Sequence, residues 1–120
     1  MPTPHTQRAI ELHKQGCNCA QAVLGAYCED FKLPEDTAKC MTAGFGNGLG
    51  DTQGICGAVL SGIIVLGLRY GSDRRLVMKK TAEFKQSFRE KAGELDCCQL
   101  RQGDISCGDL VALAAQLLEC

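Results

Sequence analysis

The stretch Ile55-Cys-Gly-Ala-Val-Leu-Ser-Gly-Ile-Ile-Val-Leu-Gly-Leu68 decides the fold, because it carries no charge and Ser61 is its only hydroxyl side chain. A helix that is apolar on every side is expected to lie in a protein core. The run is shorter than the roughly 20 apolar residues that a membrane-spanning helix needs. We therefore expect a central apolar helix over about residues 54–70, surrounded by other helices, and no membrane insertion.

Helical patterns also flank this run, and no segment shows the sustained alternation that is typical of a strand. Asn18, with Gln21 three residues later, predicts a capped helix start, and Ser106 with Asp109 predicts another. We expect an all-α fold, a compact bundle of five to six helices. They are expected over about residues 6–15, 19–29, 34–43, 54–70, 73–92 and 107–118.

Length and composition fit one folded domain. The chain has 120 residues, of which 45% are hydrophobic and 22% charged, a balance that excludes intrinsic disorder. We expect a single domain over residues 1–120, with residues 1–5 as a loose tail. The formal net charge of -1 gives no general attraction to nucleic acid. The first residues lack the basic-then-apolar pattern of a signal peptide, so we expect a cytoplasmic protein.

Nine cysteines are the unusual feature of the composition. In a reducing cytosol, cysteines are more often ligands or redox thiols than disulfides, although some are simply small core residues. Cys19, Cys56 and Cys107 each lie at a predicted helix start, where free N–H groups and the helix dipole stabilise a thiolate. A thiolate is both a nucleophile and a metal ligand, so we expect these three cysteines to be functional.

The adjacent pair Cys97 and Cys98 supplies a fourth thiol on an expected bend. No Cys-x-x-Cys motif occurs, which excludes a zinc finger, a thioredoxin-like site and covalent haem. Distant cysteines can still meet at helix ends, and four thiolates suit Zn²⁺ or an iron–sulfur cluster. Residues 44–50 contain four glycines but no dinucleotide-binding motif. They are expected either to approach a thiol pocket closely or to form a plain turn.

Several motifs occur in an order that resembles one known family. They are Gly16-Cys-Asn-Cys-Ala-Gln-Ala-Val23, Gly44-Phe-Gly46, Cys56-Gly-Ala-Val59, Gly67-Leu-Arg-Tyr-Gly71, Cys97-Cys-Gln-Leu100 and Cys107. Over about residues 16–118 the chain resembles the C_GCAxxG_C_C family of redox-active proteins. The resemblance implies that the four key cysteines of the family are Cys19, Cys56, Cys97 and Cys107. Ser61 stands where the CGAxxG motif would close with a glycine, and Cys98 is the alternative to Cys97.

The resemblance implies a redox role without a defined reaction, and a more distant similarity to the non-haem part of split-Soret cytochromes implies an iron–sulfur cluster. The first hypothesis is an electron carrier whose iron–sulfur cluster is bound by Cys19, Cys56, Cys97 and Cys107, with Cys98 as a substitute for Cys97. The second is a cofactor-free thiol–disulfide oxidoreductase, with Cys19 or Cys56 as the attacking thiolate. The third is a structural or storage zinc site with the same ligands.

Residues 69–91 carry eight basic and three acidic side chains. We expect either a solvated helix face or a docking surface for an acidic redox partner. Nucleic-acid binding is the weaker interpretation and is not expected there, given the net charge of -1 of the whole chain. The central helix, with its small side chains, and the apolar last helix are compatible with a homodimer. The remaining five cysteines are expected to be additional to the four of the site: Cys17, Cys28, Cys40, Cys98 and Cys120. A role as a resolving thiol is the alternative for Cys17.

Overall fold

A computed structural model describes residues 3–103 and 105–119 and shows an all-α fold, which confirms the predicted class. This part of the chain contains no β-strand, and one isolated antiparallel bridge joins Ile55 to Asp96. No helix within it is both long enough and apolar enough to cross a membrane. The described residues form seven α-helices: α1 (Pro4–Lys14), α2 (Cys19–Tyr27), α3 (Glu35–Thr42), α4 (Gly57–Tyr70), α5 (Arg74–Ala92), α6 (Cys97–Arg101) and α7 (Cys107–Leu117).

The predicted count of five to six helices omits α6, which begins at Cys97 where a bend is expected. A helix of five residues is too short to show an apolar periodicity, so the sequence carries no signal for it. Helix α4 begins at Gly57 rather than near residue 54. The residues before it are extended because the N–H of Cys56 donates to the carbonyl oxygen of Leu95 (2.7 Å).

The sequence predicts a loose tail over residues 1–5, and this prediction is wrong for residues 3–5, which cap and begin α1. Residues 1–2 lie outside the described part of the chain. Thr3 caps α1, because its hydroxyl oxygen accepts a hydrogen bond from the N–H of Thr6 (3.1 Å). His5 stacks on the ring of Tyr27 in α2, with the ring centroids 4.1 Å apart. The beginning of the chain is therefore tied to the core through α2.

The predicted caps of α2 and α7 are both present. The N–H of Gln21 donates to Asn18 Oδ1 (2.8 Å), and the N–H of Asn18 donates to Gln21 Oε1 (3.0 Å), which completes a capping box. At α7, the N–H of Asp109 donates to Ser106 Oγ (3.1 Å). Each cap immediately precedes a cysteine, so local sequence places that cysteine at the first helical residue.

Helices α2 and α4 pack against each other at the centre, with α1 and α3 on the α2 side, α5 on the α4 side and α7 against both. Ser61 on α4 is fully buried and donates to the carbonyl oxygen of Ala20 on α2 (2.7 Å). Beside it, a Cβ atom built at Gly62 would lie 2.4 Å from Cζ of Phe84 on α5. Helix α4 thus lies in the core as predicted, and α2 shares its central position.

A short antiparallel contact places the starts of α4 and α6 side by side. The N–H of Cys56 donates to the carbonyl oxygen of Leu95 (2.7 Å), and the N–H of Cys97 donates to that of Gly54 (3.0 Å). These two bonds flank the isolated bridge. Because the residues on either side of a bridged pair point to the same face, the side chains of Cys56 and Cys97 project to one side.

Gly62→Ala should destabilise the protein by about 1–3 kcal/mol, because the new Cβ would overlap the buried ring of Phe84. Gly67→Ala is the matched control, since it lies on the same helix and a Cβ built there meets nothing within 4 Å. Better helix propensity should make that variant more stable by up to about 1 kcal/mol. Urea unfolding followed by circular dichroism measures both free energies, and equal effects would contradict the packing of α5 on α4.

Candidate functional site

The four cysteines predicted to act together line one cavity of about 30 Å³. Cys56 is the N-cap residue of α4, and each of the other three is the first residue of its helix. The cavity is therefore surrounded by four helix N-termini, where backbone N–H groups have no partner within the helix. The lining also includes two polar residues, Asn47 and Arg101, and three apolar ones, Leu100, Ile105 and Leu110.

Cys19 and Cys56 both line this cavity, and each shifts the pKa of the other. The hydrogen bond from Cys56 lowers the pKa of Cys19 to about 6, against the opposing effect of burial. The same bond, together with burial, raises the pKa of Cys56. The pair is therefore asymmetric: Cys19 is the thiolate and Cys56 is the thiol that donates to it.

Backbone groups add to the effect of Cys56 on Cys19. Those of Asn47, Ala20 and Ala58 lower the pKa of Cys19 further, whereas those of Ala58 and Val59 only partly oppose the raised pKa of Cys56. Ala20 lies in the first turn of α2 and Ala58 in the first turn of α4, so two helix N-termini point at one sulfur atom. Both helix dipoles favour negative charge there.

The glycine-rich segment approaches the thiols closely, as the first of its two predicted interpretations requires. A Cβ atom built at Gly48 would lie 2.6 Å from Cβ of Cys97 and 3.3 Å from its sulfur. Gly48 also has a left-handed backbone, with φ of 59°. At the next helix start, a Cβ built at Gly57 would lie 2.9 Å from the sulfur of Cys19. Both glycines therefore leave the room that the two cysteines occupy.

Arg101 and Asn47 are site residues that the sequence did not indicate. Arg101 lies one helical turn after Cys97 on α6, and its Nη2 donates to Asn47 Oδ1. Asn47 reaches the cavity because its backbone is left-handed, with φ of 58°. The spacing of four residues between Cys97 and Arg101 would have suggested a shared face once α6 was known.

The cysteines outside the cavity have other surroundings. Cys28 is buried, its thiol donates to the carbonyl oxygen of Gly25 (3.2 Å), and burial raises its pKa. Cys40 and Cys98 are exposed, and Cys17 is partly buried. Cys120 lies outside the described residues. All eight cysteines in the described ranges are free thiols, the exposed Cys98 being outside the cavity lining.

The donor groups of the cavity are not arranged as a metal or cluster site. Across residues 3–103 and 105–119, no three histidine, cysteine, aspartate or glutamate side chains lie close enough together to hold a metal ion. The four cysteines therefore share a cavity without forming a ready-made ligand set. Cys19 and Cys56 are the two of these thiols that shift each other's pKa.

The basic segment lies apart from this cavity. None of the residues that line the cavity belongs to residues 69–91. Two of its cations are used within the fold: the guanidinium of Arg69 lies 6.0 Å and the ammonium of Lys80 5.7 Å from the ring centroid of Tyr70. Arg69 also donates to the carbonyl oxygen of Leu118 (2.7 Å). Docking of an acidic partner on this segment stays a prediction.

A family model described as "Putative redox-active protein (C_GCAxxG_C_C)" matches residues 17–120. The chain belongs to this family. The resemblance inferred from the motifs is thereby confirmed, and membership supports a redox-active, cysteine-rich protein. Neither the comparison with curated proteins nor that with solved structures found a match.

At one motif the C_GCAxxG_C_C description and this chain differ. The description writes Gly-Cys-Ala, whereas the chain has Cys56, Gly57 and Ala58 in that order. Ser61 replaces the closing glycine of the expected motif, and its buried hydroxyl bonds to α2 instead. The next residue, Gly62, lies against the ring of Phe84 on α5. In this chain α4 therefore packs closely on α2 at Ser61 and on α5 at Gly62.

Replacing Cys56 by alanine should raise the pKa of Cys19, because its strongest hydrogen-bond donor is removed. In the unmodified protein, alkylation of Cys19 by iodoacetamide should show a midpoint at a pH of about 6. The midpoint should move to higher pH in Cys56→Ala and less far in Cys56→Ser, which keeps an O–H donor. Peptide mass spectrometry after timed alkylation follows Cys19 separately from the other thiols.

The exposed thiol of Cys40 on α3 serves as the internal reference for this measurement. Its alkylation should be the same in all three proteins, because it lies outside the cavity. An identical midpoint for Cys19 in the unmodified protein and in Cys56→Ala would contradict the hydrogen bond between the two thiols.

Proposed function

We propose that the protein is a cofactor-free dithiol redox protein, in which Cys19 and Cys56 interconvert between two thiols and one disulfide. The observation that supports this is that both free thiols line one cavity at the starts of α2 and α4, where Cys56 lowers the pKa of Cys19. The disulfide forms when their two sulfur atoms close to the bond length of about 2 Å. Such a dithiol works in a reducing compartment, so the proposal includes a cytoplasmic location.

The asymmetry of the pair assigns the two roles. Cys19 is partly exposed and carries the thiolate, so it is the attacking sulfur. It displaces one sulfur of a substrate disulfide and forms a mixed disulfide, while the other half leaves as a thiolate. Cys56 is 4% exposed and resolves the mixed disulfide after giving its proton to the departing thiolate. The products are the Cys19–Cys56 disulfide and a second substrate thiol.

An iron–sulfur electron carrier is the second candidate. Its support is that Cys19, Cys56, Cys97 and Cys107 all line the same cavity. When bound, the cluster would supply one-electron transfer. Binding would require these four thiols to draw together, since the described residues contain no ready-made metal-binding group. A zinc site would require the same movement of four thiols, whereas the dithiol requires only Cys19 and Cys56 to draw together.

Purification under anaerobic conditions, followed by assays for iron, sulfide, zinc and thiols, separates these functions. The dithiol proposal expects a colourless, metal-free protein whose thiol count falls by two on mild oxidation and returns on reduction. Stoichiometric iron and sulfide with broad visible absorbance would overturn it in favour of the electron carrier. Stoichiometric zinc would overturn it in favour of a zinc site.

Mild oxidation should link Cys19 to Cys56, because the two thiols line the same cavity and the pKa of Cys19 is lowered by Cys56. Peptide mass spectrometry of the oxidised, alkylated protein should identify this linkage. Cys19→Ser and Cys56→Ser should each abolish the reversible loss of two thiols. Cys40→Ser, which changes an exposed thiol outside the cavity, should leave it intact. A linkage that joins Cys97 to Cys107 and excludes Cys19 would contradict the assignment.

A further inference from the structure

The size of the thiol-lined cavity limits which molecules can approach the sulfur of Cys19 through the cavity. Its volume is about 30 Å³. One water molecule requires roughly 10–15 Å³ of such volume, so the cavity has room for about two oxygen-sized atoms. Cys56 and Cys97, which form part of its wall, are 4% and 7% exposed. A peptide disulfide or glutathione disulfide is too large for this space and would have to meet the exposed part of Cys19 from outside the cavity.

We propose that the oxidant that this site reduces is a small hydroperoxide, hydrogen peroxide in its simplest form, which enters the cavity and reacts at Cys19. This inference rests on the proposed dithiol function and names its substrate class. Hydrogen peroxide has two heavy atoms, which is what the cavity volume admits. The apolar side chains of Leu100, Ile105 and Leu110 in the lining favour a small neutral molecule over an ion.

Arg101 is placed to assist the reaction. Its guanidinium lines the same cavity and gives one hydrogen bond to Asn47 Oδ1. A guanidinium has five N–H donors, so others are available for an oxygen atom that gains negative charge. When an O–O bond breaks, the departing oxygen becomes hydroxide-like, and a cation beside it stabilises that charge.

The chemistry balances in two steps. The sulfur of Cys19 attacks one oxygen of the hydroperoxide, the O–O bond breaks, and the departing oxygen takes a proton from solvent to leave as water. Cys19 is then a sulfenic acid. The sulfur of Cys56 attacks the sulfur of Cys19, a second water leaves with the proton from Cys56, and the Cys19–Cys56 disulfide forms. The peroxide is reduced by two electrons and the two thiols are oxidised by two.

Rapid mixing of the reduced protein with hydrogen peroxide or with glutathione disulfide tests this inference. Loss of the free thiol of Cys19 is followed by acid quench and peptide mass spectrometry. With hydrogen peroxide, Cys19 should react at least roughly tenfold faster than the exposed Cys40 of the same molecule. In Cys56→Ser, the sulfenic acid should accumulate at Cys19, where dimedone traps it.

Arg101→Gln should slow the reaction of Cys19 with peroxide by roughly 100-fold, the usual effect of removing a charge-stabilising donor. In this variant, alkylation of Cys19 by iodoacetamide should change little, because that reaction breaks no O–O bond. Arg74→Gln is the matched control, since Arg74 is an exposed arginine of α5 outside the cavity lining. An equal slowing of both reactions in Arg101→Gln would overturn the role of Arg101 in peroxide reduction.

The outcomes separate this inference from the proposed function. If peroxide oxidises Cys19 no faster than Cys40, while glutathione disulfide still produces the Cys19–Cys56 disulfide, the peroxide inference fails and the dithiol function stands. If neither oxidant produces that disulfide, both fail. Dimedone labelling that is confined to a cysteine outside the cavity would likewise overturn the inference.

Discussion

Two backbone hydrogen bonds, from Cys56 to Leu95 and from Cys97 to Gly54, are the constraint on which the site depends. They fix the start of α4 against the start of α6, two segments that are about 40 residues apart in the chain. Without them, the first turn of α4 could extend back toward residue 54, and Cys56 would lie inside a helix. With these two bonds in place, α4 begins directly after Cys56 and α6 begins at Cys97, so both cysteines lie beside the cavity.

The unequal chemistry of the two central thiols follows from the same arrangement. The backbone of the first turns of α2 and α4 and of the loop at Asn47 adds to the effect of Cys56 on the pKa of Cys19. Cys56 is the more buried of the two, and its pKa is raised. The interaction of the two thiols, helped by two helix starts, therefore gives Cys19 the lower pKa.

Much of this could be predicted from local sequence. The caps at Asn18 and Ser106 place Cys19 and Cys107 at helix starts, and the apolar run places α4 in the core. The short helix at Cys97 could not be predicted, because its start is set by a long-range bridge. That Arg101 and Asn47 line the cavity could not be predicted for a related reason. Asn47 is a left-handed loop residue, Arg101 lies on a distant helix, and the two meet only in the fold.

The hydrogen bond from Ser61 to Ala20 has a kinetic consequence. It joins α2 and α4 through the residue that directly follows Cys19, so the two helix starts cannot separate without breaking a buried bond. In the proposed disulfide chemistry, each sulfur of the central pair would meet the other at a high effective molarity, as in an intramolecular reagent. Closing the proposed disulfide would then cost little translational or rotational entropy.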